Sequence, residues 1–557
     1  MAAAAGRQKC GQILACQLLA CGTVVRWKQS SFSPAPSLYG TLRCESPLRR
    51  QHSSVSVAAR DHFIFENSAP VLADYSMKEK LGKGSFSSVH LAIHKRTGIK
   101  RAVKKITKEK TNSEQFRSEI RALISLDHPH IVKVLEYFED ETDYYVVMEL
   151  CTGQDLFDWV IEQLNSRPSG VVKARDACVI LRQCLKATVG CHSKGFVHRD
   201  LKLENFMLVG KDKTVKLIDF GLAKRVPDKQ SLDSSDAAGT LPYLAPEVIN
   251  KGEDYGCAVD VWSLGVMLFV MLTGEPLLTE GKEIQQLKDE TYVTQRLRNS
   301  TSLKRHSLEL RELLCRMLER DPRQRITAEE ALLHSSITAH WSDGVEEKFE
   351  YSFDKELPRK MARFAKAPLL QQTAQLCLVH LAAASRLPDV LYHSLMTARH
   401  IFRTLDTLGS GQVSVAALKS RLQEEGIDVP EDFQQVCEQC QRSSAGGDGD
   451  GRLEYGVLVA CLMLDCDWPD FLLRETFNIL DRSRNGVIEA HDLVLLSHDE
   501  HPEGYDDIIK QVDPSGAGYI NYDTFLEVMA VDRLASASLA AKPHRSATSY
   551  AGFGFWR

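Results

Sequence analysis

One stretch constrains this chain more than any other: Phe196-Val-His-Arg-Asp-Leu-Lys-Leu-Glu-Asn-Phe-Met-Leu208. It packs Asp200, Lys202 and Asn205 into six residues between apolar flanks, Val197 before and Phe206-Met207-Leu208 after. The flanks read as short buried strands. A charged loop pinned between buried strands is unusual unless the charges have work to do; the alternative is a solvated turn. Phosphoryl transfer needs such a set: a carboxylate to accept a hydroxyl proton, a lysine to neutralise phosphate charge and an amide oxygen to hold a metal. The spacing His-Arg-Asp-Leu-x-x-x-Asn is long and specific enough to set the turn aside.

Other segments fall into line with it. In Leu81-Gly82-Lys83-Gly84-Ser85-Phe86-Ser87-Ser88-Val89, the first two glycines let backbone approach a phosphate with no Cβ in the way. Alone, that pattern is equally a hairpin turn. It gains force from Arg101-Ala-Val-Lys104-Lys105 about a strand later. Phe116, Ile120 and Leu123 recur at helical spacing, which sets Glu119 beside a buried stripe. Tyr144-Tyr-Val-Val-Met-Glu-Leu-Cys151 reads as a buried strand. Val215-Lys-Leu-Ile-Asp219-Phe220-Gly221 puts a carboxylate after an apolar strand, a metal-binding element.

On these residues, together with Gly239-Thr-Leu-Pro-Tyr-Leu-Ala-Pro-Glu247 and Asp260-Val-Trp-Ser-Leu-Gly265, the segment Tyr75–Trp341 resembles a eukaryotic protein kinase domain. Four EF-hand-like units follow at about 396–531, an order similar to the calcium-dependent protein kinases of plants and alveolates. The resemblance implies an α+β fold, a bilobal kinase domain followed by an all-α EF-hand, calmodulin-like domain. It implies a Ser/Thr kinase using ATP and Mg2+, with Asp200, Lys202, Lys104 and Glu119 catalytic and Asn205 and Asp219 on magnesium. ATP would be held by Leu81, Gly82, Lys83, Gly84, Ser85, Val89, Lys104, Met148 (the gatekeeper) and the hinge residues Glu149 and Cys151. The third glycine of the loop pattern is Ser87 here, a mild departure. Glu247 is expected to pair with Arg325, and Asp260 to support the catalytic loop. Asp155 and Glu204 stand where basophilic members carry acidic residues facing substrate arginines, so protein substrates with Ser or Thr near basic residues are expected. Between Asp219 and Glu247, Asp233 or Asp236 could pair with Arg199 without phosphorylation of Ser231, Ser234 or Ser235.

At 557 residues there is room for three or four domains, and the net charge of −5 gives no overall drive towards nucleic acid. The 15 scattered cysteines suit free thiols better than a disulfide framework. Cys437, Cys440, Cys461 and Cys466 read as apolar helix faces rather than a zinc site. No run approaches a membrane span. Residues 1–70 are basic, Ser-rich and acid-poor, as in an organelle transit peptide, with a disordered tail as the alternative. Localisation stays open between cytoplasm and mitochondrion or plastid. Cys10, Cys16 and Cys21 are candidates for acylation, while Met1-Ala2 excludes myristoylation. Residues 532–557 read as a disordered tail.

Residues 345–395 form the junction. Met361, Phe364, Leu369, Leu376 and Leu378 give it an apolar side, and Arg359, Lys360, Arg363 and Lys366 a basic start. By resemblance this helix blocks the kinase until calcium binds. Pro368 breaks it, and Gln371 and Gln372 stand where basic residues are usual. An EF-hand loop needs oxygens at positions 1, 3 and 5, glycine at 6, a carbonyl at 7 and usually Glu at 12. The loop at Asp406 has Leu408 at 3 and Ala417 at 12; the loop at Gly446 keeps Asp448 and Asp450 but has Val457 at 12; the loop at Asp513 has Ala517 and Thr524. These three are expected to be silent. Asp481, Ser483, Asn485, Val487 through its carbonyl, and Asp492 make the one credible Ca2+ site, weakened because Asp at position 12 is short. Position 8 stays apolar in every loop (Val413, Leu453, Ile488, Ile520), so the fold is expected to persist as a scaffold that contacts the kinase domain. The rival to the enzyme is a kinase-fold docking protein that grips a partner through this domain.

Overall fold

The computed structural model describes residues 66–67, 69–83, 87–110, 113–167, 169–210, 214–226, 239–249, 255–339, 353–385, 387–442, 451–497 and 504–530. The segment before residue 66, Gly84 and Ser85, the acidic and serine residues 231–236, Gly446, Asp448, Asp450 and the tail after 530 lie outside the described residues.

The first lobe is a sheet of six strands: β1 (Glu66–Asn67), β2 (Tyr75–Lys83), β3 (Ser87–His94), β4 (Lys100–Thr107), β5 (Val134–Glu139) and β6 (Asp143–Glu149). Their order is β1-β5-β6-β4-β3-β2, antiparallel except for β1 against β5. Alternation along β4 sets which of its side chains enter which core. Ala102 and Ile106 face one core, with Phe116, Ile120 and Leu123 of helix α1 (Ser113–Ser125). Val103 faces the other way, into a second core with Tyr75, Ala92 and Val147. By the same period of two, Lys104 points with Ala102 and Arg101 with Val103.

The second lobe is helical. Helices α2 (Leu156–Ser166), α3 (Ala174–Ser193) and α4 (Ala258–Thr273) surround the short strands β7 (Phe196–Val197), β8 (Phe206–Val209) and β9 (Thr214–Leu217). Helix α4 is apolar on nearly every side and buried along its length, as a central helix must be. It stops at Gly274, whose φ of 69° closes the helix in the left-handed conformation.

The junction folds as two helices, α5 (Leu357–Lys366) and α6 (Leu369–Ala383), broken at Pro368. Met361, Phe364, Leu376 and Leu378 are buried, and Leu369 packs at the edge of the same core. The resemblance implies a segment that blocks the kinase; here α6 instead covers the outer face of the sheet, in one core with Tyr75, Val103 and Val147. Neutral side chains permit this. Gln371 and Gln372 are buried, and Gln375 Nε2 donates to the carbonyls of Ala460 (3.3 Å) and Met463 (3.2 Å). Lysines there would bring a desolvation cost of several kcal/mol each.

The helices α7 (Asp389–Leu405), α8 (Val415–Glu424), α9 (Phe433–Arg442), α10 (Tyr455–Leu462), α11 (Asp470–Leu480), α12 (Ala490–Ser497) and α13 (Tyr505–Val512) follow, and residues 522–530 are helical as well. Four short strands join the loops in pairs, and the apolar position-8 residues meet across them: Val413 opposite Leu453, Ile488 opposite Ile520. The first loop pair leans on the helical lobe, where Lys194 meets Glu454 at 3.1 Å. The second pair leans on the sheet lobe, where Arg101 meets Glu475 at 3.4 Å. Arg484 also donates to Asn67 (2.9 Å) and Asp74 (3.1 Å). Among the described residues no helix is long and apolar enough to cross a membrane.

Candidate active site

The cleft between the lobes gathers the motif residues. β4 carries Lys104 and α1 carries Glu119; their side chains meet at 2.5 Å. Lys104 Nζ also donates to Asp219 Oδ1 at 2.8 Å. Asp219 follows β9, and its Oδ1 accepts the Gly221 N–H at 3.1 Å. Burial would push the Asp219 carboxyl up, but the Lys104 charge and hydrogen bond, with the Gly221 N–H, outweigh it and hold the group well below the usual carboxylate range. Burial works against the Lys104 charge too, and Asp219 and Glu119 more than compensate, keeping the ammonium protonated. Asp219 nevertheless sits at the cleft mouth, its side chain 45% exposed, where a bound cation could reach it.

The catalytic loop is held from below. Asp260 on α4 is fully buried and accepts three hydrogen bonds: from His198 N (2.8 Å), Arg199 N (2.8 Å) and His192 Nε2 (2.9 Å). Arg199 needs that hold, because its φ of 68° is a left-handed conformation that costs a non-glycine residue about 1–3 kcal/mol. Burial would lower the His192 pKa, but the hydrogen bond to Asp260 raises it to about 10. His198 accepts the Asp200 N–H on Nδ1 (3.3 Å), so its Nε2–H donates to the Asp219 carbonyl (2.5 Å). Burial lowers its pKa and keeps it neutral.

This scaffold presents Asp200. Its Oδ1 accepts Thr240 Oγ1–H at 2.6 Å, and its Oδ2 meets Lys202 Nζ at 2.9 Å. Lys202 Nζ donates to Thr240 Oγ1 at 2.9 Å, closing a three-membered ring. Asn205 Nδ2 donates to the Asp200 carbonyl at 2.7 Å, which leaves its Oδ1 as the atom able to take a cation. Asn205 and Asp219 thus offer the hard oxygens magnesium prefers, beside a lysine suited to phosphate. The donor set fits ATP with Mg2+. Sequence reasoning misses Thr240; its one signal is the small hydroxyl residue in Gly239-Thr-Leu-Pro, a stretch that reads only as the end of a loop.

At the hinge, Met148 is buried and Cys151 half-buried. Burial, then the Glu149 charge, pushes the Cys151 thiol up to about 12. The Glu149 carboxylate turns to the rear, against Lys216 Nζ (2.5 Å) and Lys133 N (2.8 Å), so only its backbone can serve the cleft. Leu81, Gly82 and Lys83 are exposed at the end of β2, and Val89 packs on the core. Further down, Arg325 grips Glu247 with two bonds, at 2.6 and 3.0 Å.

Of the two predicted recognition residues, Glu204 lies within reach of the charges of both Asp200 and Asp155. Asp155 spends one carboxylate oxygen capping α2 through Asp158 N, at 2.8 Å. Glu204 is different: its buried Oε2 has no hydrogen-bond partner among the described residues. Burial raises its pKa, and the charges of Asp200 and Asp155 raise it further against the pull of Lys202.

The predicted calcium residues come together in the third loop. Asp481 accepts from the amides of Asn485 (3.1 Å) and Gly486 (2.9 Å), and Asp492 from those of Ser483 (2.7 Å) and Glu489 (2.8 Å). Both carboxylates are therefore already aimed into the loop. Cys437, Cys440 and Cys461 are buried free thiols, and among the described residues no cluster of three or more His, Cys, Asp or Glu is arranged to hold a metal.

Comparison with known proteins agrees with this geometry. The family model described as protein kinase domain matches residues 75–337. Calcium-dependent protein kinase 5 of Plasmodium falciparum is 30% identical over 460 residues, 81% of this chain and 76% of that protein. Calcium-dependent protein kinase 17 of Arabidopsis thaliana is 30% identical over 479 residues, 82% of this chain and 84% of that protein. The chain belongs to the calcium-dependent protein kinase family and is a protein serine/threonine kinase, built from a sheet-rich lobe, a helical lobe and a helical region after them.

Proposed function

We propose that Asp200 accepts and orients the substrate hydroxyl, that Lys104 and Lys202 neutralise phosphate, and that Asn205 and Asp219 hold magnesium. The observation that carries this is the joined set Glu119–Lys104–Asp219, which places an ammonium between two carboxylates at the cleft. ATP supplies the phosphoryl group and the metal neutralises its charge. The residues contribute positioning and electrostatics. Lys202 and Thr240 fix both oxygens of Asp200, which selects one orientation of its carboxylate for the incoming hydroxyl. Leu81, Gly82, Lys83, Val89, Met148 and the hinge backbone at Glu149 and Cys151 form the nucleotide pocket, with Gly84 and Ser85 completing the loop.

The substrate preference is basophilic. A buried carboxylate oxygen with no partner is costly, and a substrate guanidinium would satisfy it. Glu204 is therefore the main recognition residue. Asp155, already engaged at its helix, adds negative charge rather than a direct bond.

Calcium regulation is reduced to the third loop, Asp481 to Asp492, with magnesium as a competitor. The other loops serve as contacts between the helical region and the kinase lobes. The test is phosphorylation of an arginine-containing Ser peptide by purified residues 61–557, with calcium and with chelator at fixed magnesium. Stimulation that vanishes in Asp481→Ala supports the reading. Stimulation that survives Asp481→Ala overturns the assignment of the loop, and a lack of phosphorylation under either condition overturns the catalytic roles.

A further inference from the structure

The first loop, 406–417, has lost the ligands a cation needs, yet it is folded and deeply buried at its opening residue. Asp406 is 4% exposed. Its carboxylate accepts the amides of Ser410 (2.9 Å) and Gly411 (3.0 Å), the same inward pose that Asp481 adopts. A buried carboxylate is costly, and without a metal a nearby positive charge lowers that cost.

We propose that the first loop is a docking element whose positive charge is supplied by the kinase itself: the ammonium of Lys186, on α3, holds the main chain at Asp406 and offsets the charge of its buried carboxylate. Lys186 is buried, and its Nζ donates to the Asp406 carbonyl at 3.2 Å. Burial raises the Asp406 pKa, and Lys186 is the charge that most opposes the shift. The loop is also shaped to receive the lysine. Gly409 has a φ of 70°, and a Cβ there would fall 2.8 Å from the Lys186 Cα and 2.6 Å from its Cγ. A Cβ on Gly411 would stand 3.1 Å from the Asp127 carbonyl. The turn of the loop is thus pressed onto kinase backbone. The third and fourth loops differ: a Cβ on Gly486 or Gly518 would meet nothing within 4 Å. Leu408, at the lost ligand position 3, is 43% exposed.

Two consequences separate this from a loop that has merely decayed. Restoring its ligands should fail while Lys186 remains, because a lysine and a divalent cation repel strongly in a buried site. With Asp481→Ala silencing the third loop, calcium binding to Leu408→Asp/Ala417→Glu is measured by calorimetry with Lys186 intact and with Lys186→Met. Calcium affinity at least about tenfold tighter in the Lys186→Met background is expected; equal affinity in the two overturns the proposal. The second readout is hydrogen exchange of the Ser410 and Gly411 amides in otherwise wild-type full-length protein. Lys186→Met and Gly409→Ala should each speed their exchange about tenfold without changing exchange in β4 or α1, since loss of the latch opens the loop locally. Unchanged protection in both variants also overturns it.

Discussion

Arg101 offers the sharpest test of how the helical region is tied to the kinase. Its side chain is fully buried, its guanidinium pairs with Glu475 at 3.4 Å, and it caps the end of α6 through the Ala384 carbonyl and Ser385 Oγ. Arg101 meets Oε1 of Glu475, whose Oε2 has no hydrogen-bond partner among the described residues. Arg101→Met keeps the aliphatic stem and removes the charge, so it strands a buried carboxylate, a loss of about 3–5 kcal/mol, and one helix-end carbonyl, about 1 kcal/mol. A loss of about 4–6 kcal/mol is expected, partly relieved at low pH where Glu475 can take a proton. Replacing both partners, Arg101→Met/Glu475→Leu, removes both charges and should recover most of it. Urea unfolding of the full chain, with hydrogen exchange of α6 as a second probe, reads both numbers. An Arg101→Met variant within about 1 kcal/mol of wild type, or a double variant no better than the single, would refute the reasoning.

Four further outcomes are expected. Asp200→Asn should lower phosphorylation at least about a hundredfold with the protein still folded; Asp260→Ala should do the same with a measurable loss of thermal stability, since the left-handed Arg199 loses its anchor. Glu204→Gln should raise KM about tenfold for a peptide with arginine upstream of its Ser while leaving an arginine-free peptide unchanged, and an equal change in both would remove Glu204 from recognition. Acid should destabilise the fold early. Burial lowers His94 to about 4 and His128 to about 3, below the unfolded value of about 6.5. Bases with depressed folded pKa values bind protons more tightly when unfolded, so their contribution is complete above about pH 6.5 and drains as pH falls towards 4 and 3. Together they should cost about 2–3 kcal/mol between pH 6 and 5, read from urea midpoints; a flat profile there would contradict their burial as neutral rings.

The residues proposed as catalytic were legible as a group because they stand in short contiguous segments that the fold brings to one cleft. The run from His198 to Asn205 folds as one loop, and Lys104, Glu119 and Asp219 each follow an apolar pattern that fixes their direction. The support beneath them was partly legible, as with Asp260. The hidden part depends on long-range burial. Val103 and Val147 read simply as strand residues, since a strand apolar on both faces does not say what covers the second face. Arg101 passes as an ordinary strand charge. Gln371 and Gln372 read as defects in an inhibitory helix and are in fact what lets α6 enter a core. Thr240 has no periodicity to mark it.

The hinge thiol carries a consequence for chemical inhibition. Cys151 belongs to the nucleotide pocket proposed above, where an inhibitor designed to bond covalently would look for sulfur. Burial and the Glu149 charge push its pKa up to about 12, which keeps it a thiol at pH 7, and the thiolate is the reactive form. An acrylamide seated there would behave as a reversible competitor of ATP, and durable occupancy would have to come from filling the space in front of Met148 rather than from a covalent bond.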